Sequence, residues 1–146
     1  MTFRAWTYAD IYAIAALEKE CFSDAWTFRM LADSFFSDSA MTLLAEEGGE
    51  ILGYAVFSVL FEEAELADIA VSPAARRRGI AAALLDRLEG QARRAGAERV
   101  LLEVRVSNAP AMRLYLKRGY VGCGVRPRYY ADGDDALIMQ KRLAED

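Results

Sequence analysis

The chain contains no histidine. Ser-His-Asp and Cys-His nucleophile systems and His-ligated zinc are therefore excluded, and proton transfer falls to Glu, Asp, Tyr, Lys or Cys. Glu103 interrupts the apolar run Val100-Leu101-Leu102-Glu103-Val104, where a carboxylate is costly to bury without a partner. An ion pair with Arg105 or Arg113 is one reading of it, and a proton-transfer group is the other. Tyr115 reads, by residue type, as a core aromatic with a satisfied hydroxyl, the usual fate of such a tyrosine. A third feature is the stretch Arg76-Arg77-Arg78-Gly79, set directly before a run of small and apolar residues. The first N–H groups of a helix lack internal partners, and the helix dipole adds positive character there. With a glycine that lets a ligand approach and arginines that bind phosphate, such a turn can hold a pyrophosphate. A solvated basic corner or a nucleic-acid contact would also account for it. A P-loop is excluded because no G-K-[ST] follows, and a dinucleotide fingerprint because G-x-G-x-x-G is absent.

These residues need elements to hold them. Residues 2–6 read as a first strand. A helix follows over TYADIYAIAALEKECF, with Thr7 and Asp10 as a capping box and Ile11, Ile14 and Leu17 on one face. A second helix starts near Thr27. Two apolar runs around Gly48-Gly49 predict a hairpin, and AELADIAVS predicts another strand, all antiparallel. From Gly79 to Ala95 the spacing is helical: Ile80, Leu84 and Leu88 form a stripe, and Arg87, Glu89, Arg93 and Arg94 take other positions. RVLLEVRV follows as a buried strand, completing a strand-helix-strand unit whose strands should be parallel. NAPAMRLYLKRG predicts a helix capped by Asn108 and stopped at Gly119. Two last strands flank the loop PRYYADGD. The expected architecture is α+β, a mixed sheet with helices on both faces.

Length fits one domain over residues 1–146, and 54% apolar composition allows a sizeable core. No apolar stretch approaches the ~20 residues of a membrane span, and the first residues lack a secretory layout. A cytoplasmic protein is expected. Cys21 and Cys123 read as buried free thiols. The formal charge of −4 is unlike that of a general nucleic-acid binder, so the arginines should act locally.

The run IAVSPAARRRGIAAALL resembles the acetyl-CoA signature of the GCN5-related N-acetyltransferases, [QR]-x-x-G-x-[GA], with Arg76, Gly79 and Ala81 at its fixed positions. LEVRVSNAPAMRLYLKRGY, then RPRYY and DDALIM, resembles the RimI-type ribosomal-protein alanine N-acetyltransferases within that superfamily. There are departures. The Tyr-Tyr loop reads Arg126-Pro127-Arg128-Tyr129-Tyr130-Ala131, the acidic pair is Asp134-Asp135, and the early segment Phe22-Ser23-Asp24-Ala25-Trp26-Thr27 lacks its proline.

The resemblance implies a GNAT fold: a sheet of about seven strands with about four helices, antiparallel N-terminal strands, and a parallel pair that splays around acetyl-CoA. It implies that amides of the Arg76–Ala82 turn (Arg76, Arg77, Arg78, Gly79, Ile80, Ala81, Ala82) hold the pyrophosphate, that Ile69, Ala70 and Val71 pair with the pantetheine arm, and that Asn108 hydrogen-bonds the cosubstrate. Glu103 becomes the general base and Tyr115 the general acid. Tyr129, Tyr130, Asp134 and Asp135 either line a groove for the acceptor or form an ordinary polar loop. No metal is implied. An α-amine, with pKa ~7.7–8.0 against ~10.4 for lysine, is the easier acceptor for a carboxylate base. The expected reaction is direct acetyl transfer to an N-terminal alanine of a ribosomal protein, by a monomer that binds neither nucleic acid nor membrane. Another protein terminus, a small amine, and a non-catalytic acyl-CoA-binding module are the competing readings.

Overall fold

The computed structural model describes residues 1–143. Seven strands form one sheet: β1 (Thr2–Arg4), β2 (Ala40–Glu47), β3 (Glu50–Leu60), β4 (Glu63–Val71), β5 (Arg99–Arg105), β6 (Val121–Arg126) and β7 (Ala136–Arg142), in the order β1-β2-β3-β4-β5-β7-β6. Four α-helices connect them: α1 (Asp10–Cys21), α2 (Phe28–Phe36), α3 (Ile80–Arg94) and α4 (Ala109–Lys117). β1 to β4 are antiparallel, β4 and β5 are parallel, and β7 runs antiparallel to both β5 and β6. The expected mixed sheet with helices on both faces is the observed one. Among the described residues, no helix is long and apolar enough to cross a membrane.

Two cores sandwich the sheet. On one face, Leu84, Leu85 and Leu88 of α3 and Tyr115 of α4 pack on Val100, Leu102 and Val104 of β5. On the other, Ile11, Ile14 and Leu17 of α1 and Leu31 of α2 pack on Leu44, Tyr54 and Val56. Each fully buried Leu or Ile contributes roughly 1.5–3 kcal/mol, so both faces hold the strands in place.

Local chemistry explains most boundaries. The Thr27 hydroxyl accepts from Met30 N–H and caps α2, and the Asn108 side chain accepts from Ala111 N–H and caps α4. Gly119 ends the α4 turn at φ 92°, a left-handed value that favours glycine. The first strand is shorter than expected and stops at Arg4, because Trp6 turns inward and its indole N–H donates to Leu43 O at 2.9 Å. The Thr7–Asp10 box forms only in part: Asp10 accepts from both Thr7 N–H and the Thr7 hydroxyl, and no side chain caps α1 from its N-cap residue. Glu89, placed off the α3 stripe by its spacing, is buried, because the Tyr120 hydroxyl and Lys141 ammonium both bind its carboxylate. The two thiols are free, but Cys123 is exposed and Cys21 only half-buried. Both faces of β6 are largely open to solvent, which leaves Cys123 uncovered.

Candidate active site

β4 and β5 pair over only three residues each, Glu63–Glu65 with Arg99–Leu101. Beyond them β5 continues against β7, while β4 keeps only β3. The opening begins at a bulge in β4. Leu66 pairs with Phe57 and Asp68 with Val56, so Ala67 is the extra residue. A bulge bends its strand and re-aims the side chains beyond it. The stretch Ile69, Ala70 and Val71 therefore presents a backbone edge that β5 does not cover.

Gly53 on β3 lets this edge sit close. A Cβ there would lie 3.0 Å from Ala70 O and 3.2 Å from both Ile80 Cγ2 and Val71 Cγ2. At the end of β4, a single 3-10 turn, Pro73–Ala75, leads into the arginine turn. Two of its residues, Arg77 at φ 67° and Gly79 at φ 76°, are left-handed. Gly79 is the N-cap of α3 and brings no capping side chain, and a Cβ built on it would meet nothing within 4 Å. The N–H groups of Ile80, Ala81 and Ala82 thus open the helix without a side-chain acceptor, which suits a phosphate group. The arginines divide their tasks. Arg76 donates to Val71 O at 3.3 Å and approaches Cys21 Sγ at 3.7 Å, and Arg78 pairs with Glu47 at 3.0 Å. Arg77 has no ion pair among the described residues.

Alternation along β5 buries Val100, Leu102 and Val104 under α3 and turns Leu101, Glu103 and Arg105 to the α1–α2 face. Glu103 does not pair with Arg105 or Arg113, the partners its sequence suggested. Its Oε1 lies 3.3 Å from Arg126 Nε on β6, and its Oε2 is buried without a hydrogen-bond partner among the described residues. Arg105 is instead held by Asp24 at 2.7 Å and Asp132 at 2.9 Å, and its guanidinium stacks over the Tyr130 ring at 4.0 Å. The Tyr129 hydroxyl leans on Glu103, and that contact is the main reason its pKa is raised.

Tyr115 is 5% exposed and packs edge-on against Tyr120. Its hydroxyl has no hydrogen-bond partner among the described residues. Burial pushes its pKa well above the ordinary phenol value, and ionisation of Asp68 would push it further. The Asn108 carbonyl is used by the α4 cap at 3.2 Å, so its amide N–H groups remain as donors. Asp134 accepts from the Ser107 hydroxyl at 2.5 Å and Asp135 from Arg128 N–H at 2.8 Å. These two carboxylates brace the β6–β7 loop. Tyr129, by contrast, is 53% exposed at its tip.

Asp68 escaped the sequence reading, although it lies in an apolar strand just as Glu103 does. The bulge turns it to the same sheet face as Glu103, on the other side of the opening. Glu18 was also missed. Its place four residues after Ile14 on α1 puts it on the buried stripe, and it is 1% exposed.

A family model described as the acetyltransferase (GNAT) family matches residues 11–120. The chain is 32% identical to the [ribosomal protein bS18]-alanine N-acetyltransferase of Escherichia coli, covering 89% of each chain. It is 33% identical to an N-alpha-acetyltransferase of Sulfurisphaera tokodaii, over 92% of this chain and 88% of that one. The crystal structure of the ribosomal-protein-S18-alanine N-acetyltransferase from Escherichia coli superposes with a TM-score of 0.92 at 29% identity, over 99% of this chain and 95% of that one.

Proposed function

From the premise that this chain belongs to the acetyltransferase (GNAT) family and is an acetyl-CoA-dependent N-acetyltransferase, we propose that it acetylates the α-amine of a protein N-terminus. The acceptor is an N-terminal alanine of a ribosomal protein such as bS18, which would place the enzyme in the cytoplasm. The single observation that carries the proposal is the buried, unpartnered Oε2 of Glu103, on β5 beyond the point where β4 parts from it.

The residues divide the work along the cleft. The Ile80, Ala81 and Ala82 N–H groups, with Gly79 and Arg77, hold the diphosphate of the donor. The free edge of Ile69, Ala70 and Val71 aligns its arm, and a backbone N–H there stabilises the oxyanion. Asn108 adds a hydrogen bond from its amide. Glu103 takes a proton from the incoming ammonium, directly or through water. Arg126 and Tyr129 fix its carboxylate from the solvent side, which keeps Oε2 aimed inward. Tyr115 gives its proton to the departing thiolate. Because burial makes the phenol a weak acid, it holds its proton until the thiolate forms beside it. Tyr129 and Tyr130 line the acceptor's entry, and Asp134 and Asp135 hold their loop in shape.

Thiol release is the test. It is measured with a peptide bearing a free N-terminal alanine, the same peptide with a blocked N-terminus and an internal lysine, and a polyamine. The proposal expects turnover on the first alone. Turnover on the polyamine alone would replace the protein acceptor by a small one. Donor binding without turnover on any amine would leave a binding module.

A further inference from the structure

Two carboxyl groups meet beside the cleft with no cation between them. Glu18 sits on the third turn of α1, and both its oxygens already accept hydrogen bonds: Oε1 from the Tyr54 hydroxyl at 2.7 Å and Oε2 from Trp26 N–H at 2.8 Å. Asp68 of β4 lies beside this carboxylate, in the same buried cluster around Tyr54. Asp68 Oδ2 is buried and has no donor among the described residues. Two ionised carboxylates side by side away from water repel, and one proton between them would resolve both the repulsion and the orphaned oxygen. The titratable groups facing Asp68 are Glu18 from α1, Asp24 from the loop after it and, from α4, Tyr115. Tyr54 of β3 and Cys21 of α1 lie against the same cluster. None of these is a cation. The Arg76 guanidinium is directed to Cys21 and Val71 O, and Arg105 to Asp24 and Asp132.

We propose that Glu18 and Asp68 share one proton, that this bond anchors the uncovered edge of β4 to α1, and that its loss sets an alkaline limit on turnover. Asp68 is thus a positioning residue for Ile69–Val71 and for Tyr115. The inference rests on reading the β4–β5 opening as the transfer site.

The strand gives the reason. Past Glu65, β4 has lost β5, yet Ile69, Ala70 and Val71 must keep their free edge at a fixed place. Asp68 immediately precedes them, and its side chain ties the strand to a helix from the α1–α2 side. When the proton leaves, two negative charges in contact push strand and helix apart. The new charge also lies close enough to Tyr115 to raise its pKa further and make it a poorer acid. Both effects slow transfer, so the protonated pair is the active form and the rate falls as pH rises. Burial and the Glu18 carboxylate hold the Asp68 carboxyl up to about 9.

The experiment follows kcat at saturating acceptor from about pH 7 to 10.5 for the wild type, Asp68→Asn and Glu18→Gln. The asparagine amide is a neutral isostere that still donates to Glu18. In the wild type, kcat should fall about tenfold per pH unit above the midpoint. Asp68→Asn should flatten this limb. Glu18→Gln, which removes the charge that opposes ionisation, should move it to lower pH. An Asp68→Asn enzyme with the wild-type limb overturns the proposal. Infrared spectroscopy of the unmutated protein gives a second readout that needs no substrate and survives a wrong acceptor assignment. The carbonyl band of a protonated, buried carboxyl should be present at neutral pH and vanish across the alkaline limb. Its absence at neutral pH overturns the shared proton, even if Asp68→Asn fails to fold.

Discussion

Arg126 Nε stands 3.3 Å from Glu103 Oε1, reaching it from β6 past the intervening β7. The guanidinium is half-exposed, and it steadies one oxygen of the carboxylate while the other stays buried and unpartnered. That division fits a base held by one oxygen and used through the other. Glu103→Gln keeps the shape and removes the proton acceptor. The expected result is a fall in kcat of ~10²-fold or more at neutral pH with acetyl-CoA affinity retained, read by steady-state kinetics and calorimetry. Wild-type turnover would return Glu103 to a purely structural ion pair.

Tyr115 donates no hydrogen bond among the described residues, so Tyr115→Phe removes no partner from the core. Stability should change by less than about 1 kcal/mol, while kcat falls by roughly 10²-fold. Urea unfolding and thiol release, measured on the same material, separate the two. An unchanged rate would reassign the residue to packing against Tyr120.

Gly53→Ala tests the close approach of β3 to the uncovered edge of β4. The added methyl would press on Ala70 O at 3.0 Å and on Val71 and Ile80 at 3.2 Å. A backbone carbonyl in a held strand yields little, so a cost of about 1–3 kcal/mol is expected. The displaced edge and helix start should also weaken acetyl-CoA binding by about tenfold. Thermal unfolding and titration calorimetry check both, and unaltered binding would detach Ala70–Val71 from the donor site.

Asp10 tests the fold far from the cleft. The Arg4 guanidinium, bonded at 2.8 and 3.0 Å, holds its carboxyl down to about 2 from an ordinary 3.8. A depressed acid contributes stability above its unfolded pKa and loses it as pH falls through the folded one. Asp10→Asn should therefore cost about 1 kcal/mol at neutral pH. The gap to wild type should close as pH drops from 3.8 toward 2. A gap independent of pH would contradict the assignment.

Much of this fold was legible because its periodicities are clean. The α3 stripe, the Gly48-Gly49 hairpin and the strand-helix-strand unit all stand where their spacing placed them. The start of α3 was legible too, since Gly79 stands directly before its apolar stripe. What the residues could not reveal is pairing across the sheet. Arg126 reaches Glu103 only because β7 inserts between β5 and β6, an order no local pattern encodes. The bulge at Ala67 is likewise a product of the β3 register, and without it Asp68 would not share a face with Glu103. Glu89 and Glu18 are buried because distant donors satisfy them, Lys141 and Tyr120 for one and Tyr54 and Trp26 for the other.

The most direct measurement incubates the protein with acetyl-CoA and a short peptide whose only free amines are an N-terminal alanine and one internal lysine. Fragment-ion mass spectrometry then locates the product. One acetyl group on the alanine nitrogen, with stoichiometric thiol release and an unmodified lysine, is the predicted result. Acetyl found only on the lysine side chain, or no acetylation by protein that binds acetyl-CoA, would contradict it.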